Sequence, residues 1–202
     1  FGFETPEREP DVNDGETPLP GRCMASPLKL VLLARDQTVR IQSVCQVLLA
    51  FLKEQPDTQV LASSVIEEYD PARFEPDVIA VVGGDGAILR ACRQLGRRQT
   101  PILGVNMGRL GFLADLTPEQ FRDEYPRVCS GKFETAEHLM FECSHETAAG
   151  ETEVFLGLNE AAISAEPALQ MIEIGLKIDG EPVTTYSCDG LILSTPVGST
   201  AH

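Results

Sequence analysis

The residues best suited to chemistry in this chain are Gly83-Gly84-Asp85-Gly86, three glycines around one acid. Glycine has no Cβ to hold a ligand away and permits positive φ, so main-chain N–H groups at 83, 84 and 86 can converge on phosphate oxygens. A helix starting there adds a partial positive charge that favours anions. Asp85 has the wrong sign for a direct phosphate contact. It fits either a group linked to a divalent cation or a base for a hydroxyl about to be phosphorylated. The alternative is a tight strand-to-helix turn with Asp85 as its N-cap only. Arg90, Arg93 and Arg97 follow at helical spacing, with Arg98 adjacent, as one basic stripe. They read as a solvated helix face or, for Arg90 one turn inside the helix, as a contact to anionic ligand groups.

Three further stretches carry polar groups in useful places. Asn106-Met107-Gly108-Arg109-Leu110-Gly111-Phe112-Leu113 opens a loop with two glycines and offers Phe112 to lie against a flat ring. Asn159-Glu160 stands between the apolar stretches Val154 to Leu158 and Ala161 to Ile163. An amide beside a carboxylate can meet the donor and acceptor edge of an adenine, or can be a satisfied strand-end pair. Asp189 to His202, DGLILSTPVGSTAH, ends in a hydroxyl-rich turn able to hydrogen-bond a sugar or phosphate. The six cysteines lie at least 14 positions apart, without the close pairs of a zinc site, and read as reduced, mostly buried thiols.

The elements that must position these residues follow from periodicity. Leu28 to Ala34 is a short apolar run; Val44, Val47, Leu48, Phe51 and Leu52 then recur at helical spacing until Pro56. Gln59 to Ser63, Val78 to Val82 and Ile102 to Val105 read as further strands, with a helix over Ala87 to Leu95. Strands alternating with helices imply a parallel sheet. After a short helix at Pro118 to Val128 the pattern becomes alternating: Leu139, Phe141 and Cys143, then Ile172, Ile174, Leu176 and Ile178, followed by the hairpin signal Asp179-Gly180. The expected organisation is a disordered leader over 1–27, an α/β phosphate-binding domain over 28–116, and a mainly antiparallel β-rich domain over 117–202. The leader holds five prolines and six acidic residues and has no apolar periodicity.

Composition narrows the class. The 202 residues are 43% apolar, enough for a packed core. Lys and Arg number 16 against 31 Asp and Glu, a net charge of −15 that repels a nucleic-acid backbone or an anionic membrane. No stretch approaches the ~20 apolar residues of a membrane span, and the N-terminus lacks the pattern of a signal peptide. The expectation is a cytoplasmic protein with no nucleic-acid and no membrane partner.

GGDG after a strand, then NMGRLGFLAD, then LNE, then DGLILSTPVGSTA, in this order and at these separations, resembles the NAD kinases (ATP- or polyphosphate-dependent) from about Leu28 to His202. The last stretch is the most specific, because GGDG alone is shared with lipid kinases and phosphofructokinases. The resemblance implies an α/β fold: a Rossmann-like, phosphofructokinase-like parallel-sheet domain followed by a β-rich domain. It implies transfer of the ATP γ-phosphoryl to the 2′-hydroxyl of the NAD adenosine ribose, giving NADP, with Mg²⁺ or another divalent cation accompanying ATP, and a homo-oligomer. Asp85 would be the proton acceptor, and Gly83, Gly84 and Gly86 the loop nearest the phosphates. Asn159 and Glu160 would hold adenine and ribose groups, and Asp189 the nicotinamide end. Thr200 and Ala201 would line the dinucleotide pocket beside Phe112 and His202, and Arg90 would meet NAD phosphates. This chain departs from the family at Ala87 (usually Thr), Val197 (Thr or Ser) and His202 (Tyr), and the family continues past His202, so the chain is expected to be truncated there. A lipid or diacylglycerol-type kinase and a non-catalytic dinucleotide-binding module are the competing readings.

Overall fold

An apolar run without polar alternation makes a strand only where both faces are covered, and two such runs form the centre of the first sheet. The computed structural model describes residues 2–4, 26–108, 111–114, 116–165 and 170–200, with 2–4 and 200 described by their backbone alone. β2 (Leu28–Ala34) and β4 (Val78–Val82) lie side by side and parallel; β3 (Thr58–Val65) flanks β2 and β5 (Ile102–Val105) flanks β4. The order β3-β2-β4-β5 means that the chain leaves β2 in one direction and β4 in the other. Open parallel sheets bind ligands at the carboxyl ends of the two strands where the order diverges, and GGDG follows β4 at that point.

Alternate residues of each strand serve opposite faces. Leu30, Leu32, Val78, Ala80 and Val82 share a core with Ile41, Leu48 and Leu52 of α1 (Val39–Glu54) and with Phe121 and Tyr125 of α3 (Pro118–Cys129). Each fully buried Leu or Phe contributes roughly 1.5–3 kcal/mol. α2 (Asp85–Leu95) buries Ala87, Ile88, Ala91, Cys92 and Leu95 and packs on β4 and β5. Thr117 caps α3 reciprocally with Gln120, and Pro118 takes the first helical position, where its missing N–H costs nothing.

The described residues divide into one compact unit that ends at Glu137 and a second that begins at His138 and includes Gly2–Glu4. That division lies about twenty residues beyond the boundary expected near Leu116, because α3 adds Phe121 and Tyr125 to the first core instead of opening the second. The leader also differs from expectation at one place: β1 (Gly2–Glu4) pairs antiparallel with β6 (Phe141–Glu146), whose edge offers unpaired main-chain groups. Residues 5–25 lie outside the described residues.

The second unit is antiparallel throughout. β6 pairs with β7 (Thr152–Gly157), β8 (Glu160–Ser164) with β11 (Gly190–Ser194), and β9 (Ile172–Ile178) with β10 (Glu181–Cys188). Asp179 and Gly180 join β9 to β10 with φ of 52° and 83°, the two positive values that a type I′ turn requires. Leu139, expected in β6, precedes the strand and is 53% exposed. Among the described residues no helix is long and apolar enough to cross a membrane. Cys92 and Cys143 are buried, Cys45, Cys129 and Cys188 half-buried, and all five are free thiols. Cys23 lies outside the described residues.

Candidate active site

α2 begins two residues earlier than its apolar pattern predicts. Gly84 is the N-cap, with extended φ −93° and ψ −170°, and Asp85 is the first helical residue, not the cap. None of Gly83, Gly84 and Gly86 has positive φ, so the left-handed freedom of glycine is not used at these positions. The glycines divide by role instead. A Cβ at Gly83 would lie 2.5 Å from Ala87 Cβ and 3.0 Å from Arg35 Cβ, so this glycine lets β2, β4 and α2 approach closely. At Gly84 and Gly86 nothing among the described residues lies within 4 Å of the missing Cβ, so their packing there does not require glycine. Ala87 is 1% exposed.

The Asp85 carboxylate is held by main chain. Its Oδ2 accepts from the Phe112 N–H at 2.8 Å, and its Oδ1 accepts from the N–H groups of Leu113 and Ala114, both at 3.1 Å. A carboxylate has about four acceptor positions, two per oxygen. Among the described residues three are in use, and the remaining one is on Oδ2. The Phe112 ring beside it is 79% exposed.

This acceptor array depends on how the loop after β5 is anchored. Asn106 donates its N–H to Leu116 O at 2.7 Å, and Leu116 returns alongside β5 in a parallel bridge with Val105. Asn106 Oδ1 accepts from Gly108 N–H at 2.9 Å, and the Arg40 guanidinium donates to Met107 O at 2.6 Å. At the far end, a Cβ at Gly104 would lie 2.9 Å from Ala114 Cα and 2.7 Å from Ile88 Cδ1. Gly104 thus lets the loop return flush against the sheet. Arg109, Leu110 and Asp115 lie outside the described residues.

Arg90 is held by two acceptors. Its guanidinium donates to Glu67 Oε1 at 3.1 Å and to Arg35 O at 3.0 Å, which fixes its direction and leaves its other N–H donors for a further contact. The basic stripe is also shorter than expected. Gly96, with φ 59°, ends α2 after Leu95 and leaves Arg97 and Arg98 beyond the helix. A groove of about 380 Å³ between α1 and β3 is lined by Asp36, Gln37, Cys45, Ser64 and Glu68, and does not include Asp85.

In the second unit, Asn159 lies between β7 and β8, and its carbonyl is the hub of the turn after β11. It accepts from Thr195 N–H at 2.8 Å, and the hydroxyls of Thr195 (3.1 Å) and Ser194 (3.4 Å) lie around it, each with a nearer acceptor, Leu158 O and Thr195 O. Thr195, 5% exposed, also donates through Oγ1 to Leu158 O at 2.5 Å and accepts from Gly198 N–H at 3.1 Å. A Cβ at Gly198 would strike the Asn159 carbonyl. The Asn159 Oδ1 is buried and has no hydrogen-bond partner among the described residues. A satisfied strand-end pair would not leave it so. Glu160 is half-buried and Asp189 exposed at the start of β11. Thr200 closes a short 3-10 turn; Ala201 and His202 lie outside the described residues.

Sequence reasoning missed Gly104, Gly111, Thr195 and Gly198, the residues that position the others. Only their presence inside motif-rich stretches could have flagged them.

A family model described as ATP-NAD kinase N-terminal domain matches residues 37–133, and one described as ATP-NAD kinase C-terminal domain matches residues 158–202. The NAD kinase of Rhodopirellula baltica is 43% identical over 176 residues, 87% of this chain and 56% of the relative. The yeast NADH kinase complexed with NADH matches in fold with a TM-score of 0.70 at 22% identity, over 88% of this chain and 60% of that one. An NAD kinase from Archaeoglobus fulgidus in complex with ATP matches with a TM-score of 0.60 at 29% identity, over 87% and 64%. The chain therefore spans little more than half the length of the curated relative it matches. Both domain models match in order, over segments that contain Asp85 and Asn159 respectively, and the fold agrees with that assignment: this chain belongs to the NAD kinase family.

Proposed function

We propose that this chain is part of an enzyme that moves the γ-phosphoryl group of ATP to the 2′-hydroxyl of the adenosine ribose of NAD, giving NADP and ADP. The observation that carries the reading is Asp85 at the carboxyl edge of the sheet, its carboxylate fixed by three main-chain N–H groups with one acceptor position left on Oδ2. In the proposed step that oxygen orients the hydroxyl and takes its proton. The O2′–Pγ bond forms as the bond from Pγ to the bridging oxygen of ADP breaks. Such transition states are loose, so alignment and charge neutralisation matter more than covalent help. Among the described residues no three His, Cys, Asp or Glu side chains converge as a metal site. A divalent cation fits this chain as a companion of the donor phosphates, which is how Mg²⁺ is usually held. There it would neutralise the charge developing on the transferred group.

The other assignments follow from the family. Gly84 and Gly86, open on their Cβ side, face the donor phosphates, while Gly83 is a packing residue. Phe112 covers a flat ring, and Asn159 and Glu160 hold adenine and ribose groups. The orphaned Asn159 Oδ1 suits an exocyclic amino group, which is a donor. Asp189, Thr200, Ala201 and His202 complete the dinucleotide contacts. Arg90 serves a phosphate with its remaining N–H donors. We also assign it to a cytoplasmic homo-oligomer without nucleic-acid or membrane partners, which the net charge of −15 supports.

A second reading is favoured by the same carboxylate. An acid with three of four acceptor positions filled could serve as a loop clamp in a dinucleotide-binding module that does not turn over. NADP formation, followed in a coupled assay with ATP and polyphosphate in parallel, separates the two. Steady NADP production supports the kinase; NAD binding by calorimetry without NADP leaves the module.

A further inference from the structure

We infer that Gly111 is a positioning residue for Asp85, an inference that rests on the proposed phosphoryl transfer. A Cβ at Gly111 would lie 2.6 Å from Asp85 Oδ2 and 2.5 Å from Cγ, and would strike Oδ1. The carboxylate therefore sits in the space that the missing side chain leaves. The next three residues in sequence, Phe112, Leu113 and Ala114, supply the three N–H groups that hold it. Glycine at 111 and the amides at 112–114 form one seat: the first makes room and the others fix the oxygens. The Phe112 N–H shares Oδ2 with the acceptor position offered to the ribose hydroxyl. Displacing the carboxylate thus changes both the direction of that acceptor and the backbone that carries the Phe112 ring.

What must yield on adding a methyl group at Gly111 is the far end of a side chain, not backbone. The fold therefore survives the substitution and the carboxylate moves. This separates Gly111 from Gly104, whose Cβ would meet the Ala114 backbone at 2.9 Å, and from Gly108, where nothing lies within 4 Å. Gly108 is the natural control, a glycine of the same loop without a neighbour on its Cβ side among the described residues.

The test compares Gly111→Ala, Gly108→Ala, Asp85→Asn and the double variant Gly111→Ala/Asp85→Asn in the full chain, by NADP formation and by amide NMR. Misplacing a reacting group by about 1 Å costs on the order of 100-fold in rate, and Gly111→Ala is expected to lower kcat by about that factor with an unchanged melting temperature. Its effect should vanish on the Asp85→Asn background, and the amide signals of Phe112, Leu113 and Ala114 should shift. Gly108→Ala should stay within about twofold of the parent in kcat. The inference is overturned if Gly111→Ala keeps the parent kcat, if Gly108→Ala loses as much, if the two losses multiply in the double variant, or if the three amide signals do not move. A parent protein that binds NAD and makes no NADP removes the proposed reaction, and with it the catalytic role of the seat. The amide signals would still report whether Gly111 seats the carboxylate.

Discussion

At Asp85 the side chain is saturated and the main chain does the holding: three N–H groups from residues 112–114 fix both carboxylate oxygens. At Asn159 the roles are reversed. There the main-chain carbonyl is held by Thr195 N–H, with the Thr195 and Ser194 hydroxyls around it, while the side-chain oxygen is buried with no partner among the described residues. A group that must align a reacting atom gains from being fixed before the substrate arrives. A group that recognises a ligand by hydrogen bonding gains from remaining unpaired until it binds, because a mismatched ligand then leaves it unsatisfied. On the proposed reading, the first unit supplies the prearranged group and the second the recognising one.

The largest expected effect breaks the first half of this contrast. Asp85→Asn should lower kcat by roughly 10²–10⁴-fold, the range of a lost general base. Because an amide NH₂ would face one of the three N–H donors, the variant should also disturb the Phe112 loop and raise the KM for NAD. If kcat stays at the parent rate, the carboxylate is a clamp and nothing more. Next comes Thr195→Val, which removes the hydroxyl serving Leu158 O and Gly198 N–H. Leaving buried polar groups unsatisfied costs about 1–3 kcal/mol each, and thermal or urea unfolding should show a loss of that order, with a higher KM for NAD. No change in unfolding would mean that the turn is held by other bonds.

Asn159→Ala sharpens the contrast from the other side. It removes a buried acceptor that has no partner among the described residues, so stability should hold or rise slightly while the KM for NAD climbs several-fold and kcat changes little. A fall in melting temperature without a binding defect would place Asn159 among structural residues. The smallest effect concerns the first unit alone. Burial, and secondarily the charge of Asp36, raise the Cys45 thiol to about 11. The folded state therefore holds that proton more tightly than the unfolded chain. The associated stability is complete below about pH 9 and is lost as pH rises towards 11. Cys45→Ala should flatten that alkaline slope in unfolding measurements, and alkylation of Cys45 at pH 8 should be slow.

Several parts of this design were legible from residue order. The unbroken run Val78–Val82 names a buried parallel strand because only such a strand tolerates apolar residues on both faces, and Asp179-Gly180 names its turn because few dipeptides accept two positive φ values. Asp85, Phe112, Asn159 and the turn from Thr195 stand in stretches whose order resembles one family. Other parts were hidden. The start of α2 at Asp85 is decided by the extended Gly84 and by the carboxylate's bonds to residues 27 to 29 positions away, which no local propensity contains. The ion pair of Arg90 with Glu67, 23 residues earlier, was likewise not readable from helical spacing.

The sequence by itself determined the alternation of strands and helices in the first sheet, that an acid stands among glycines after a buried strand, and that an amide precedes an acid between two strands. These are matters of periodicity and residue type, which act over a few neighbours. Only the tertiary structure decided that β2 lies beside β4, that residues 112–114 aim their N–H groups at Asp85, and that the Asp85 carboxylate fills the space beside Gly111. Each of these depends on atoms brought within about 3 Å across long stretches of chain, where hydrogen-bond geometry and close packing decide the outcome.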